Sequence, residues 1–169
     1  GYLVPEGMKR NALNDLSRIA RNWKPEASYS AESEEMTQAY RLFVLALGQV
    51  AEVGAMNRLK ESKTLMSMSR YLLAAGYALI GRPDVSKELV VKTTALTTAC
   101  SGYDQTFGSD LRDTSIRLMT LCLLDGGKEA ALLANEISKT LASDDWLSTQ
   151  STAFSLVALS DYMEKYKMS

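Results

Sequence analysis

Apolar residues return along this chain in two different ways, and both are helical. In the first they fall on one face at helical spacing. From Gly7 to Trp23, Leu13, Leu16, Ile19, Ala20 and Trp23 share a face while Lys9, Arg10, Asp15, Arg18 and Arg21 lie elsewhere. Pro83 to Leu96 repeats this with Val85, Leu89 and Leu96, and a shorter segment around Met56 and Leu59 fits the same description. Lys128 to Leu141 is the cleanest, with Ala130, Leu133, Ala134, Ile137 and Leu141 on one stripe. In the second way the helix is apolar almost all round. Thr37–Val50, Leu65–Ile80, Leu111–Leu124 and Thr149–Tyr162 belong to this kind, and helices with so narrow a polar stripe must be covered on several sides.

The two kinds alternate from one end of the chain to the other. Alternation of this sort predicts helix hairpins stacked with one inner and one outer helix each, as in solenoids and closed α/α toroids. Three inner segments share a local pattern: Ala39-Tyr40-x-Leu42-x-x-Leu45, Ser115-Ile116-x-Leu118-x-x-Leu121 and Ala153-Phe154-x-Leu156-x-x-Leu159. The fourth, Leu65–Ile80, fits it poorly. The spacing implies a repeat of about 38 residues, within the range of helical arrays, whose terminal units expose apolar surface when a neighbour is missing. No sustained alternation of period two occurs, so no sheet is expected.

Punctuation supports this reading. Gly81-Arg82-Pro83-Asp84 ends one helix and opens the next, Asp125-Gly126-Gly127 stops another, and Ser148 is placed to cap the last. Lys24–Glu32 and Thr97–Ser109 read as longer loops. The chain opens Gly-Tyr-Leu-Val-Pro without a basic segment followed by an apolar one, which suggests a piece of something longer.

Composition narrows the function. The 169 residues are 46% hydrophobic, enough for a sizeable core. Nineteen basic residues against 20 acidic ones leave a formal charge of −1, without the basic excess that nucleic acid or an anionic membrane requires. The longest nearly apolar run, Tyr71 to Ile80, is about half the ~20 residues of a membrane span. There is no histidine, and the two cysteines, Cys100 and Cys122, do not form a close pair, so neither a zinc site nor a serine or cysteine triad is expected. The cysteines read better as free thiols than as a disulfide, with Cys122 buried in the run Leu121-Cys122-Leu123-Leu124.

No phosphate-binding loop, dinucleotide fingerprint, nucleophile elbow or zinc-protease motif is present. What remains is carboxylates. Asp110 with Asp113, Asp144 with Asp145, or Glu34 with Glu35 are the pairs a toroidal glycoside hydrolase would need across a cleft. Acidic residues at helix N-termini explain each of them without catalysis. No catalytic, cofactor-binding or metal-binding residue is therefore assigned, and the chain is not expected to be an enzyme. Trp23 and Trp146, each beside a helix end, are expected to wedge against the core, and Met36, Met66, Met68 and Met119 to fill it or an interface.

Five segments in order look like one family. Gly1-Tyr2-x-Val4-Pro5-Glu6-Gly7-Met8, then Thr37-Gln38-Ala39-Tyr40-x-Leu42-x-Val44-Leu45-Ala46-Leu47, then Leu73-Ala74-Ala75-x-Tyr77-Ala78-Leu79-x-Gly81 resemble successive stretches of the thioester-type domain of bacterial alpha-2-macroglobulins. Gly108-Ser109-x-Leu111-Arg112-Asp113 and Trp146-x-Ser148-Thr149-Gln150-x-Thr152-Ala153-x-x-Leu156-x-Ala158-Leu159 are similar to two more. Each motif alone is weak, and their shared order across nearly the whole chain is what carries the resemblance.

The resemblance implies an all-α arc, residues 1–169 forming the later part of an α/α-toroid domain. It also implies a periplasmic or cell-envelope protease inhibitor, in some cases anchored by lipid through the parent chain, that traps attacking proteases by conformational change. Its partners would be the other domains of the parent chain and the target proteases. The reactive Cys-x-Glu-Gln of the family is not in this chain: Cys100 is followed by Ser-Gly-Tyr and Cys122 by Leu-Leu-Asp. In the family that motif lies upstream of the first segment matched here, and no functional residue carries over onto any position. The readings left open are a stand-alone helical-repeat scaffold for a peptide or protein partner and, further off, a toroidal glycoside hydrolase.

Overall fold

The computed structural model describes residues 3–24, 31–63, 65–94 and 109–166. Among them are eight α-helices and no strand: α1 (Glu6–Asn22), α2 (Ala31–Leu47), α3 (Val53–Lys60), α4 (Ser67–Leu79), α5 (Pro83–Thr94), α6 (Asp110–Leu123), α7 (Gly127–Leu141) and α8 (Thr149–Tyr166). The amphipathic segments became α1, α3, α5 and α7, and the apolar ones α2, α4, α6 and α8. The even-numbered helices form an inner row in which α2 packs on α4, α4 on α6 and α6 on α8. The odd-numbered helices cover the outside: α1 and α3 lie behind α2, α5 behind α4, and α7 across α6 and α8. The chain is thus an arc of stacked hairpins, all-α and toroid-like.

Burial follows the two patterns. On α7, Ala130, Leu133, Ala134 and Ile137 are buried and the other face is wet. On α4, every residue from Tyr71 to Tyr77 is buried, because α2, α5 and α6 enclose it. Its small residues replace the stripe that the other inner helices carry. A Cβ at Gly76 would sit 3.2 Å from the Met56 terminal methyl and 3.8 Å from the Phe43 Cα, so glycine lets the α4 backbone lie close to α2.

Three inner helices end in one way. After α2, α4 and α6 a residue with positive φ turns the chain, namely Gln49 (61°), Gly81 (76°) and Asp125 (57°). The next N–H then reaches back to the carbonyl of the last turn: Val50 to Leu45 at 3.0 Å, Arg82 to Tyr77 at 2.9 Å and Gly126 to Leu121 at 2.8 Å. These are Schellman closures. Glycine holds the left-handed position at Gly81 alone, so the expected stop at Asp125-Gly126-Gly127 works through the aspartate. The same geometry ends α2 at Leu47, three residues before the expected Val50.

Two expectations about large side chains are corrected. Trp23 does pack, partly buried, against the core, but Trp146 is 87% exposed. In the short turn before α8 it is Leu147 that packs against the core, leaving the indole outside. Met119 is buried and Met36 and Met68 partly so, whereas Met66 is 40% exposed just ahead of α4. Cys122 is a buried free thiol, as expected. Cys100 and nearly all of the Thr97–Ser109 loop lie outside the described residues, as does most of Lys24–Glu32.

Candidate functional site

Because each inner helix follows an outer one, the four inner helices run parallel, and the arc has an N-terminal mouth and a C-terminal mouth. Three of the resembling motifs meet at the first. Ser33, Met36, Thr37 and Tyr40 of α2, Arg112 of α6, and Gln150 and Phe154 of α8 line a hollow of about 360 Å³ there.

Serines lock the helix starts together. Ser109 caps α6 by accepting the Arg112 N–H at 3.1 Å, and Ser148 caps α8 by accepting the Ser151 N–H at 3.1 Å, as its position predicted. Ser151 Oγ then lies 2.6 Å from Ser109 Oγ and 2.9 Å from Ser148 Oγ, which joins the two caps. One turn further in, Ser115 Oγ and Ser155 Oγ lie 3.1 Å apart, where each can donate its proton to a carbonyl of its own helix, Leu111 and Ser151. Small hydroxyl residues permit this close approach of α6 and α8 while satisfying their own polar atoms.

Arg112 and Asp113 are both buried, and the arginine donates through Nε and Nη2 to Asp113 Oδ1 at 2.9 and 2.8 Å. Successive helix residues do not face each other, so the guanidinium folds back over its neighbour to make this pair. On the α2 side, buried Gln38 donates to the Ala20 carbonyl at 3.0 Å and accepts from Arg41 at 3.2 Å, tying α2 to α1. Buried Glu35 accepts from Ser62.

The candidate carboxylate pairs all lie near this mouth, at or before the starts of inner helices. Asp113 is paired with Arg112, Glu35 with Ser62, and Asp145 accepts from Ser143 at 3.1 Å. Asp110 and Asp144 are exposed. The hydrogen bonds of Asp113, Glu35 and Asp145 hold local structure, and acidic residues suit the positive ends of helix dipoles. Among the described residues, no three side chains of His, Cys, Asp and Glu gather as metal ligands. Nor is any described helix long and apolar enough to cross a membrane.

The second mouth is apolar at its floor and charged at its rim. Phe43 and Leu47 of α2, Leu79 of α4, Met119, Cys122 and Leu123 of α6, and Val157, Asp161, Glu164 and Lys165 of α8 line an open hollow of about 570 Å³. Burial pushes the Cys122 thiol up to about 11, with Asp161 adding to the effect and Lys165 opposing it. Loss of hydration, then the neighbouring Glu164, raises the Asp161 carboxyl. Lys165 donates to Asp125 at 2.5 Å, and this bond raises the lysine and lowers the aspartate. The apolar pattern located these inner helices, but the hollow depends on curvature, which periodicity does not encode.

No protein-family model and no curated protein matches the chain. Solved structures do. The chain is similar to the native conformation of Escherichia coli alpha-2-macroglobulin, with a TM-score of 0.76 and 21% identity over 97% of this chain and 11% of that one. It is similar to the trypsin-activated Escherichia coli protein, with a TM-score of 0.70 and 22% identity over 97% of this chain and 12% of that one. It is also similar to Salmonella alpha-2-macroglobulin reacted with methylamine, with a TM-score of 0.72 and 21% identity over 95% and 11%. The chain therefore spans about a tenth of the length of these proteins. It has the fold of one segment of the bacterial alpha-2-macroglobulins, the family its five motifs resemble.

Proposed function

We propose that this chain is the later part of the thioester-type domain of a bacterial alpha-2-macroglobulin-like protease inhibitor, acting through packing and conformational change and carrying no catalytic residue of its own. The observation that carries the reading is the match in fold along 97% of the chain to macroglobulins in native and trypsin-activated forms. The converging motifs around Ser109, Arg112 and Ser148 support it independently. On this reading the partners are the other domains of the parent chain and the attacking protease, and the setting is the cell envelope, with any lipid anchor carried elsewhere in the parent.

The last helix supports a role inside a larger body over a stand-alone scaffold. Leu42 and Leu118 are fully buried, while Leu156, at the same place in the repeat pattern, is 58% exposed. Met163, two turns on along the helix, is 49% exposed. A free-standing repeat protein caps such a face with polar residues.

The test is to incubate the full-length parent protein with trypsin or elastase. Trapping predicts that the protease keeps its activity on a small peptide substrate, loses it on a large protein substrate and migrates with the parent. Simple digestion of the parent, with activity on the large substrate unchanged, would overturn the proposal.

A further inference from the structure

The C-terminal mouth combines two features that the trapping role does not use. Its floor is apolar, and its volume of about 570 Å³ falls in the usual range of ~300–1,000 Å³ for small-molecule sites. Its field is negative for three separate reasons. The C-terminal ends of α2, α4 and α6 contribute Leu47, Leu79 and Leu123 to the lining, so three helix dipoles point their negative ends at it. Asp161 and Glu164 stand on the α8 side of the rim. The cation at that rim, Lys165, is already bound to Asp125 at 2.5 Å.

We propose that this hollow binds a small amphipathic organic cation, its hydrocarbon part against Phe43, Met119 and Val157 and its ammonium group between Asp161 and Glu164. The apolar floor supplies affinity without direction, and the rim selects charge. An alkyl carboxylate would meet the two carboxylates and the helix ends unfavourably. A neutral alcohol would gain the floor alone.

The experiment is calorimetric titration of the protein with n-octylammonium, n-octanol and n-octanoate, all below their aggregation concentrations. Expected is saturable one-to-one binding of octylammonium at least tenfold tighter than octanol, with octanoate weaker still. Asp161→Asn with Glu164→Gln should reduce octylammonium affinity about tenfold and leave octanol unchanged. Both positions are exposed, so helicity by circular dichroism should be preserved. Lys165→Gln removes the positive charge at the rim and releases the Asp125 carboxylate, and should tighten octylammonium binding several-fold, which is a gain that misfolding cannot mimic. Equal affinity for the three probes, no saturable binding, or indifference of octylammonium to all three substitutions would each overturn the proposal. None of these outcomes bears on protease trapping, which is read by a separate assay.

Discussion

Tyr40 of α2 and Phe154 of α8 meet edge to face, their ring centroids 6.1 Å apart and their planes at 61°. They hold the same place in the inner-helix pattern, and they join the first inner helix of the row to the last. The backbones of α2 and α8 themselves stay apart. The row therefore curls until its two ends touch through side chains, and this pair lines the N-terminal hollow.

If the rings couple the ends of the arc, a double-mutant cycle of Tyr40→Ala and Phe154→Ala should give an interaction of about 0.5–1.5 kcal/mol. The same pair of substitutions should increase the radius of gyration seen by small-angle scattering. Zero coupling with an unchanged radius would mean that the curvature is set by the helix interfaces α2–α4, α4–α6 and α6–α8 alone.

The pair also marks how far the sequence can be read. Alternating amphipathic and apolar helices were legible because burial imposes a period of 3.6 wherever one face is wet. Of the seven helices with expected bounds, five begin and end within about three residues of expectation, whereas α2 starts six residues early, at Ala31, and α8 runs on to Tyr166 instead of stopping near Tyr162. Its last turn is exposed, so the apolar signal faded before the helix did. The N-cap at Ser148 was legible from its position, but its link through Ser151 to Ser109 was not, since two serines 42 positions apart carry no mutual signal. Trp146 misled for a related reason. Its size suggested burial, and only the course of the turn shows that Leu147 occupies that place.

Arg112 and Asp113 form an ion pair with both side chains nearly inaccessible, at 4% and 10% exposure. Removing one member leaves a buried charge without its counterpart, so Arg112→Ala should cost about 3–5 kcal/mol in chemical denaturation. Replacing both, Arg112→Met with Asp113→Leu, should recover most of that loss. If the single and double variants were equally unstable, the pair's value would lie in its other contacts and not in mutual neutralisation.

The three Schellman closures predict opposite effects from glycine. Gln49 and Asp125 adopt a left-handed conformation that costs an L-residue about 1 kcal/mol relative to glycine. Gln49→Gly should raise stability by up to about 1 kcal/mol, and Asp125→Gly by less, because it also removes the exposed ion pair with Lys165. Gly81→Ala should lower it by a similar amount. A Cβ at Gly81 would meet nothing within 4 Å, so the cost is purely conformational. Urea midpoints of the three variants test the set, and a stabilising Gly81→Ala would contradict the argument.

Alkaline pH should loosen the core through Tyr77. Its ring is buried, its hydroxyl donates to Asn57 Oδ1 at 2.7 Å, and loss of hydration first, then Glu61, pushes its ionisation up to about 12 against an opposing effect of Arg82. The folded state thus holds this proton more tightly than the unfolded chain, whose tyrosines ionise near 10. The associated stability is fully present below pH 10 and is lost as pH rises from there through about 12, amounting to ~2–3 kcal/mol. Tyr77→Phe removes the hydrogen bond, at a cost of about 1 kcal/mol near pH 8, but also removes this alkaline loss. Urea unfolding of the two proteins from pH 8 to 12 should therefore give stability curves that converge above pH 10 and cross near 11. The buried Cys122 thiol, raised to about 11, lowers both curves alike and does not affect the crossing. Parallel curves would show that the Tyr77 hydroxyl ionises in the folded state as readily as in the unfolded one.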